Sequence, residues 1–153
     1  MWGFCLVLIL ACATGEYSEV QVVQEMDNFL ENPHYLKNHE IGELFTQLAK
    51  DYPDLAQTYT IGKSLEDRPI YALALSAPTG ESKNGDLLRP MVKLVANIRG
   101  DETVGRQMVL YMAEYLATHY DGDTEVQDLL NRTEIHFLPT CNPDGFAKAQ
   151  VSH

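Results

Sequence analysis

The stretch that decides the fold runs from Pro90 to Tyr120 and reads PMVKLVANIRGDETVGRQMVLYMAEYLATHY. Its beginning, up to Ile98, is a nearly continuous apolar run, which is typical of a strand covered on both faces. The polar loop Arg99–Glu102 follows, at the end of the strand where open α/β sheets gather their chemistry. From Thr103 to Tyr120 apolar residues occupy most of a helical circumference, which predicts a helix largely buried against the sheet. The polar positions of this helix fall on one narrow stripe: Thr103, Gln107, Glu114 and Thr118.

The flanking sequence predicts further strands and helices. Asn38 is placed to cap a helix that Pro53 stops. The alternating segments 56–61 and 70–75 predict a β-hairpin, residues 123–131 a short helix, and residues 133–139 another strand. Asn142-Pro143-Asp144-Gly145 fits a type I turn. Strands on either side of a buried helix indicate an α/β sheet with helices on its faces.

The N-terminal residues predict a secreted chain. Residues 1–13 combine a short apolar run with an Ala-Cys-Ala end, as in a signal peptide, and are far below the roughly 20 residues that span a bilayer. Residues 14–33 are acidic and weakly patterned, and we interpret them as an N-terminal arm. Removal of the signal leaves Cys141 without an intrachain disulfide partner, and we expect it to pack as a small apolar residue. Asn131 begins an Asn-Arg-Thr glycosylation sequon, which fits secretion.

The charge of the chain excludes some classes of partner. With 11 Lys and Arg against 22 Asp and Glu, the formal net charge is −11. Because nucleic acids and anionic membranes bind positively charged surfaces, neither is expected as a partner. Basic peptides are compatible with this charge, although much of it is expected to be solvated surface.

Several side chains suggest chemistry, and each has a simpler interpretation. Asp101 and Glu102 at the strand-to-helix junction are candidates for catalysis, but carboxylates at a helix N-terminus also bind free amides and complement the helix dipole. Arg99 is either a surface cation or a partner of these acids. His136, between apolar neighbours, is expected to be a satisfied core histidine, and Arg106 a structural ion-pair donor.

Three separate motifs resemble the zinc metallocarboxypeptidases, in the same order along the chain. They are GKSLEDR at residues 62–68, NIRGDETVGR at residues 97–106 and LPTCNPDGF at residues 138–146. The resemblance covers roughly residues 34–148 and is strongest to the carboxypeptidase D, E, N and M subfamily, with GDETVGRQ most similar to a carboxypeptidase D domain. It implies an α/β fold in which this chain supplies the incomplete N-terminal part of a mixed sheet with helices on its faces. We therefore assign residues 34–149 to a partial metallocarboxypeptidase domain and residues 150–153 to a tail.

The resemblance also implies a function and a cofactor. The family removes C-terminal residues, typically Lys or Arg, from secreted peptides and proteins, using zinc held by an HxxE motif and a later His. Glu102 matches the Glu ligand of that motif, whereas Arg99 stands in place of the first His. A guanidinium has no free lone pair and carries a positive charge, so Arg99 is not a zinc ligand. The family's later ligand, substrate-binding residues and general base would lie well past Phe146, and His153 follows too closely to replace that ligand.

These departures lead to three hypotheses. The first is a truncated carboxypeptidase D-like chain that binds no zinc and is inactive as written. The second is a piece of a longer enzyme whose remaining sequence supplies the site, although Arg99 would still weaken it. The third is a secreted, non-catalytic protein that binds peptide or protein C-termini through the retained surface. A chain that stops partway through the fold is expected to leave an unpaired sheet edge and exposed apolar surface, which predicts poor solubility or self-association of the isolated chain.

Overall fold

The computed structural model describes residues 35–78 and 89–151, which form four helices and a four-stranded sheet. The predicted signal peptide, N-terminal arm and residues 79–88 lie outside this range. In chain order the elements are α1 (Asn38–Asp51), β1 (Ala56–Lys63), β2 (Pro69–Leu75), β3 (Met91–Val95), α2 (Thr103–His119), α3 (Thr124–Arg132), β4 (Glu134–Leu138) and α4 (Pro143–Val151). Among the described helices, none is both long and apolar enough to cross a membrane.

The sheet is mixed, as predicted, and its strands lie in the order β1-β2-β4-β3. Strands β1 and β2 form the expected antiparallel hairpin, and β4 pairs antiparallel with β2. Strand β3 runs parallel to β4, from Met91 opposite Glu134 to Val95 opposite Leu138. A parallel pair requires a long crossover, and α2 and α3 supply it.

One hydrophobic core lies on one side of this sheet. It joins apolar side chains of α1, α2 and α3 to Leu73 and Leu75 of β2 and to Ile135 and Phe137 of β4. The register places Leu73 opposite Phe137 and Leu75 opposite Ile135, so these four side chains share one face of the sheet. The alternation read in residues 133–139 is therefore confirmed, because every second residue of a strand points to the same face.

Helix boundaries follow local capping chemistry. The side chain of Asp123 accepts hydrogen bonds from the backbone N–H groups of Glu125 and Val126, and α3 begins at the next residue, as its sequence predicts. Helix α1 begins one residue away from the predicted cap: Lys37 is the N-cap, and Asn38 instead donates to the carbonyl of Pro69 at 2.9 Å. Asn38 therefore joins α1 to β2.

The predicted burial of β3 is wrong. Among the described strands it is an edge strand that pairs only with β4, and Met91 is 61% exposed, with Val92 and Val95 exposed as well. An apolar run shows that a strand is suited to burial, but burial also needs a neighbouring strand, and no described strand occupies that side.

The buried surface of α2 also differs from the pattern read in its sequence. Gln107, from the polar stripe, is buried, whereas Val104, Met108 and Met112 are exposed. These three residues follow the i, i+4, i+8 spacing and so form one line along the helix. The prediction of a long, broadly apolar helix is confirmed over Thr103–His119, but one apolar line of it faces solvent.

Residues 142–145 begin a helix instead of forming an isolated turn. The side-chain oxygen of Asn142 accepts the N–H of Gly145 at 2.8 Å, and the Asn142 carbonyl accepts the N–H of Phe146 at 3.1 Å. Asn142 is thus the N-cap of α4, with Pro143 at the first helical position, where its missing N–H has no consequence. A type I turn and the first turn of a helix share their opening dihedral angles, so the residues that predict one also fit the other.

Candidate functional site

The candidate site is built on the loop between β3 and α2. Asn97 occupies the left-handed region with φ +50°, which turns the chain sharply after the strand, and it is 2% exposed. Its side-chain amide donates to the carbonyls of Arg99 at 2.7 Å, Gly100 at 3.2 Å and Glu102 at 3.3 Å. Its side-chain oxygen accepts the hydroxyl of buried Thr140 at 2.6 Å. One side chain therefore holds the whole loop against the segment that follows β4.

Arg99 and Glu102 lie together at the surface of this loop. The backbone N–H of Arg99 donates to Oε2 of Glu102 at 3.2 Å, and the Arg99 guanidinium donates to Oδ2 of Asp101 at 3.1 Å. The side chain of Arg99 is 72% exposed, so its ion pair with Asp101 is a solvated surface contact of small energy. Both alternatives left open by the sequence apply: Arg99 is an exposed surface cation, and its guanidinium pairs with a loop acid, which is Asp101, whereas Glu102 accepts the backbone N–H.

The expected capping role of the two acids takes a different form. Glu102 is the N-cap residue of α2, but its side chain makes no capping hydrogen bond to the helix. Its carboxylate points towards the preceding loop, where it accepts the backbone N–H of Arg99. Glu102 therefore stabilises the loop that precedes the helix and not the first turn of the helix itself.

The motif at residues 138–146 packs directly on this loop. The backbone N–H of Asn142 donates to the carbonyl of Asn97 at 3.0 Å, and its side-chain amide donates to the carbonyl of Ile98 at 3.2 Å. Gly100 lies so close to Gly145 that a Cβ built on Gly100 would be 2.1 Å from the carbonyl carbon of Gly145. The two motifs are therefore in backbone contact, and only glycine fits at position 100.

The motif at residues 62–68 binds the first turn of α4 through Asp144. Asp144 Oδ1 accepts the hydroxyl of Ser64 at 2.7 Å and lies 2.6 Å from Nη1 of Arg68, while Oδ2 accepts the N–H of Glu66 at 3.1 Å. Glu66 in turn pairs with Lys148, one turn further along α4, at 2.8 Å. The hydrogen bond from Ser64, with further contributions from Arg68 and the Glu66 N–H, lowers the pKa of Asp144.

Arg106 is not the ion-pair donor that its sequence predicts. It is wholly buried, its guanidinium lies 3.7 Å from the ring centroid of Phe146, and Nη1 donates to the carbonyl of Leu36. Nε and Nη2 have no hydrogen-bond partner among the described residues. Burial lowers the pKa of Arg106 to about 10, although the charge of Glu40 opposes this shift.

His136 is satisfied only in part within the sheet. Its Nδ1 lies 2.7 Å from the hydroxyl of Tyr59 on β1, as expected of a core histidine with a partner. Its buried Nε2 lies 2.9 Å from Oε1 of Glu134 but makes no hydrogen bond among the described residues, so the prediction is confirmed at Nδ1 alone. Cys141 is a free, half-buried cysteine whose N–H donates to the carbonyl of Ala96 at 3.1 Å.

Asn131 is exposed in the last turn of α3, and its side-chain oxygen accepts the hydroxyl of Tyr120 at 3.0 Å. Its place at the surface is compatible with the sequon at residues 131–133, and its glycosylation stays a prediction.

The residues of this loop do not fit a zinc ion. Zinc sites in proteins use at least three well-placed His, Cys, Asp or Glu ligands. Within residues 35–78 and 89–151, no group of three or more such side chains is placed to hold a metal. Glu102 matches the family ligand in sequence, but its Oε2 accepts the N–H of Arg99, and the Arg99 guanidinium offers only donors.

Comparison with known proteins agrees with the three motifs that meet at this site. A profile described as zinc carboxypeptidase matches residues 41–153. Carboxypeptidase D of Drosophila melanogaster is 42% identical over 128 residues, 84% of this chain. Carboxypeptidase D of Homo sapiens is 35% identical over 137 residues, 90% of this chain. The aligned region is 9% of each of these relatives, so the chain spans a small part of their length.

Solved structures give the same assignment for the fold. Thrombin-activatable fibrinolysis inhibitor aligns with a TM-score of 0.66 and 20% identity, over 85% of this chain and 33% of that one. Carboxypeptidase A of Helicoverpa armigera aligns with a TM-score of 0.59 and 25% identity, over 76% of this chain and 26% of that one. The described sheet and helices thus correspond to part of a carboxypeptidase fold, and this chain belongs to the zinc carboxypeptidase family.

Proposed function

We propose that this chain is a non-catalytic member of its family, descended from enzymes that use zinc to remove C-terminal Lys or Arg from peptides and proteins. The observation that carries the proposal is Arg99, which stands where the family's HxxE motif has its first His ligand. Its backbone N–H is bound to Glu102, the matching carboxylate ligand, and its guanidinium to Asp101. Both candidate acids near the site are therefore engaged by Arg99.

Charge and coordination chemistry support the proposal together. A histidine supplies an uncharged nitrogen with a lone pair, whereas an arginine places a positive charge and N–H donors at the same position. A dication approaching Glu102 would meet this charge instead of a ligand. Replacing one His by Arg thus removes a ligand and adds repulsion, which argues against zinc-dependent hydrolysis even if other chain segments supply the later residues.

The setting of the protein is part of the same proposal. The apolar run ending at Ala13 supports entry into the secretory pathway, where the chain would meet peptide and protein C-termini. The net charge of −11 supports basic peptides over nucleic acids or anionic membranes as partners.

A hydrolysis assay tests the proposal. The purified chain is incubated with excess zinc and a peptide ending in Arg, and free arginine is measured with and without a chelator. The expected result is no release above the background without protein. Circular dichroism of the same sample checks that the chain is folded. Arginine release that the chelator abolishes would contradict the proposal.

A binding function without catalysis is the second candidate, and the exposure of Arg99 favours it. The guanidinium is 72% exposed and makes a single described ion pair, which leaves it accessible to an added carboxylate. Arginine binds carboxylates with two parallel hydrogen bonds. Calorimetry with a peptide bearing a free C-terminus, and with its amidated twin, tests this candidate. Binding of the free acid alone, lost in Arg99→Met, supports it, and equal results for both peptides would rule it out.

A further inference from the structure

A single side chain organises the candidate loop. The buried amide of Asn97 faces three loop carbonyls, those of Arg99, Gly100 and Glu102, and its oxygen accepts the Thr140 hydroxyl. Asn97 lies two residues before the loop begins at Arg99, and its backbone is in the left-handed region, with φ +50°. These features connect β3, the loop and the segment after β4 through one residue.

The chemistry of the amide suits this position. Three carbonyl oxygens that turn towards one point repel one another unless a donor lies between them, and burial makes an unpaired carbonyl costly. The Thr140 hydroxyl needs an acceptor, and this acceptor must belong to the same side chain that donates to the three carbonyls. An Asn side chain supplies both, whereas Asp has no donor when ionised and Leu has neither. Asn is also among the non-glycine residues most often found with positive φ.

We infer that Asn97 is the positioning residue of the 99–102 loop and fixes the directions in which the side chains of Arg99 and Glu102 point. The inference rests on the proposed function, since a loop that holds no zinc must be fixed by the protein itself. Its geometry is then independent of the side chain at position 99. The loop is predicted to keep its shape with either Arg or His at this position.

Amide hydrogen exchange by NMR, in the presence of a chelator, tests this role. Asn97→Gly keeps the left-handed backbone accessible and removes the side chain, whereas Asn97→Asp keeps the shape and the acceptor but replaces the donor. We expect exchange of the Arg99, Glu102 and Thr103 amides to accelerate about tenfold or more in both variants, because the hydrogen bonds that close the loop are lost. The resonances of the Asn97 side-chain amide in the unmodified chain should exchange slowly.

Two controls separate positioning from general stability. Thr140→Val removes only the bond to Thr140, and we expect it to affect the loop amides less than either Asn97 variant. Amides of the β2–β4 pair, such as Leu73 and Phe137, should keep their exchange rates in all variants. Unchanged loop amides, or equal acceleration throughout the sheet, would overturn the inference. Because zinc is absent throughout, this outcome is independent of the hydrolysis assay, in which arginine release that a chelator abolishes would contradict the proposed function.

Discussion

At the residue scale, positions 97, 99 and 100 have separate tasks in one loop. Asn97 binds the loop carbonyls, Gly100 permits contact with Gly145, and Arg99 occupies the surface beside Glu102. The first two tasks concern backbone geometry and do not need a metal. The proposed replacement of a ligand by Arg99 would thus change the chemistry of the loop without removing the contacts that shape it.

Gly100→Ala tests the backbone contact between the two motifs. A Cβ at this position would lie 2.1 Å from the carbonyl carbon of Gly145, so the two loops must separate. We expect a loss of about 1–3 kcal/mol in the free energy of unfolding, the usual effect of forcing extra volume into a packed site. Urea unfolding followed by circular dichroism measures it.

Gly105→Ala is the matched control, because a Cβ there meets only the Cβ of Ala96, at 3.8 Å. Alanine favours a helix over glycine, so this variant should be as stable as the unmodified chain or more stable, by up to about 1 kcal/mol. A neutral effect of Gly100→Ala, or equal losses in both variants, would contradict the described contact.

The burial of Arg106 predicts that removing its charge does not lower the stability of the protein. Its guanidinium is buried with Nε and Nη2 unpartnered among the described residues, so desolvation of the charge opposes folding. Arg106→Met keeps an unbranched side chain beside Phe146 and removes the charge, and we expect a stability change between about zero and a gain of 2 kcal/mol. Arg106→Ala, which also leaves a cavity, should lose stability. Thermal melts compare the two, and a large loss in Arg106→Met would show that the contacts of the cation with the Leu36 carbonyl and the Phe146 ring outweigh the desolvation of its charge.

At the element scale, the sequence predicts local structure well and long-range burial poorly. Asp123 marks the start of α3, and the alternation of residues 133–139 gives both β4 and its buried face, because these signals are contained in a few neighbouring residues. The burial of β3 and of Val104 depends on which elements pack beside them. A local sequence pattern carries no information about those neighbours. Helix α4 was missed because Asn142 and Pro143 fit a turn as well as a helix start.

The contacts of Asp144, in the first turn of α4, with Ser64, Glu66 and Arg68 predict that the stability of the fold depends on pH. The pKa of Asp144 is lowered in the folded state by Ser64, Arg68 and the Glu66 N–H, so the folded state binds fewer protons than the unfolded state. This contribution is present above the unfolded pKa, about 3.9, and is lost as pH falls through the lower folded pKa. Melting temperatures between pH 7 and strongly acidic conditions should therefore fall more steeply for the unmodified chain than for Asp144→Asn.

Asp54→Asn is the control for this series, because Asp54 is an exposed carboxylate in the loop between α1 and β1. It should leave the slope of melting temperature against pH nearly unchanged. Parallel curves for the unmodified chain and Asp144→Asn would show that the Ser64–Asp144–Arg68 contacts do not stabilise the fold.

At the scale of the whole molecule, the sheet formed by the described strands ends in an apolar edge at β3. Met91 and Val95 on β3 are exposed, and so are Met108 and Met112 on α2. Unpaired edge strands with apolar side chains associate with other strands, and lysine on such an edge prevents this. We expect the isolated chain to self-associate as its concentration rises, and the double variant Met91→Lys, Val95→Lys to do so less. Sedimentation velocity measures this, and a monodisperse monomer for the unmodified chain would contradict the expectation.

The candidate site was predictable in part. The three motifs indicated Glu102 and the replacement at Arg99, and the structure brings all three motifs together through Asp144, Gly145 and Asn142. The importance of Asn97 was missed, because an Asn after a strand has many functions, and its bond to Thr140 forms only when the segment following β4 is in place. Its position in a motif before a sharp loop was the available signal.

Native mass spectrometry of the chain after equilibration with zinc measures whether the loop at residues 99–102 holds a metal. We expect no stoichiometric zinc on the unmodified chain, because Arg99 supplies charge and donors where a ligand is needed. Arg99→His adds a nitrogen ligand beside Glu102 but still leaves fewer than three ligands among the described residues, so it should gain at most weak binding, and Arg99→Met, which removes the charge without adding a ligand, should gain less. One tightly held zinc per unmodified chain, lost on substitution of Glu102, would contradict the account.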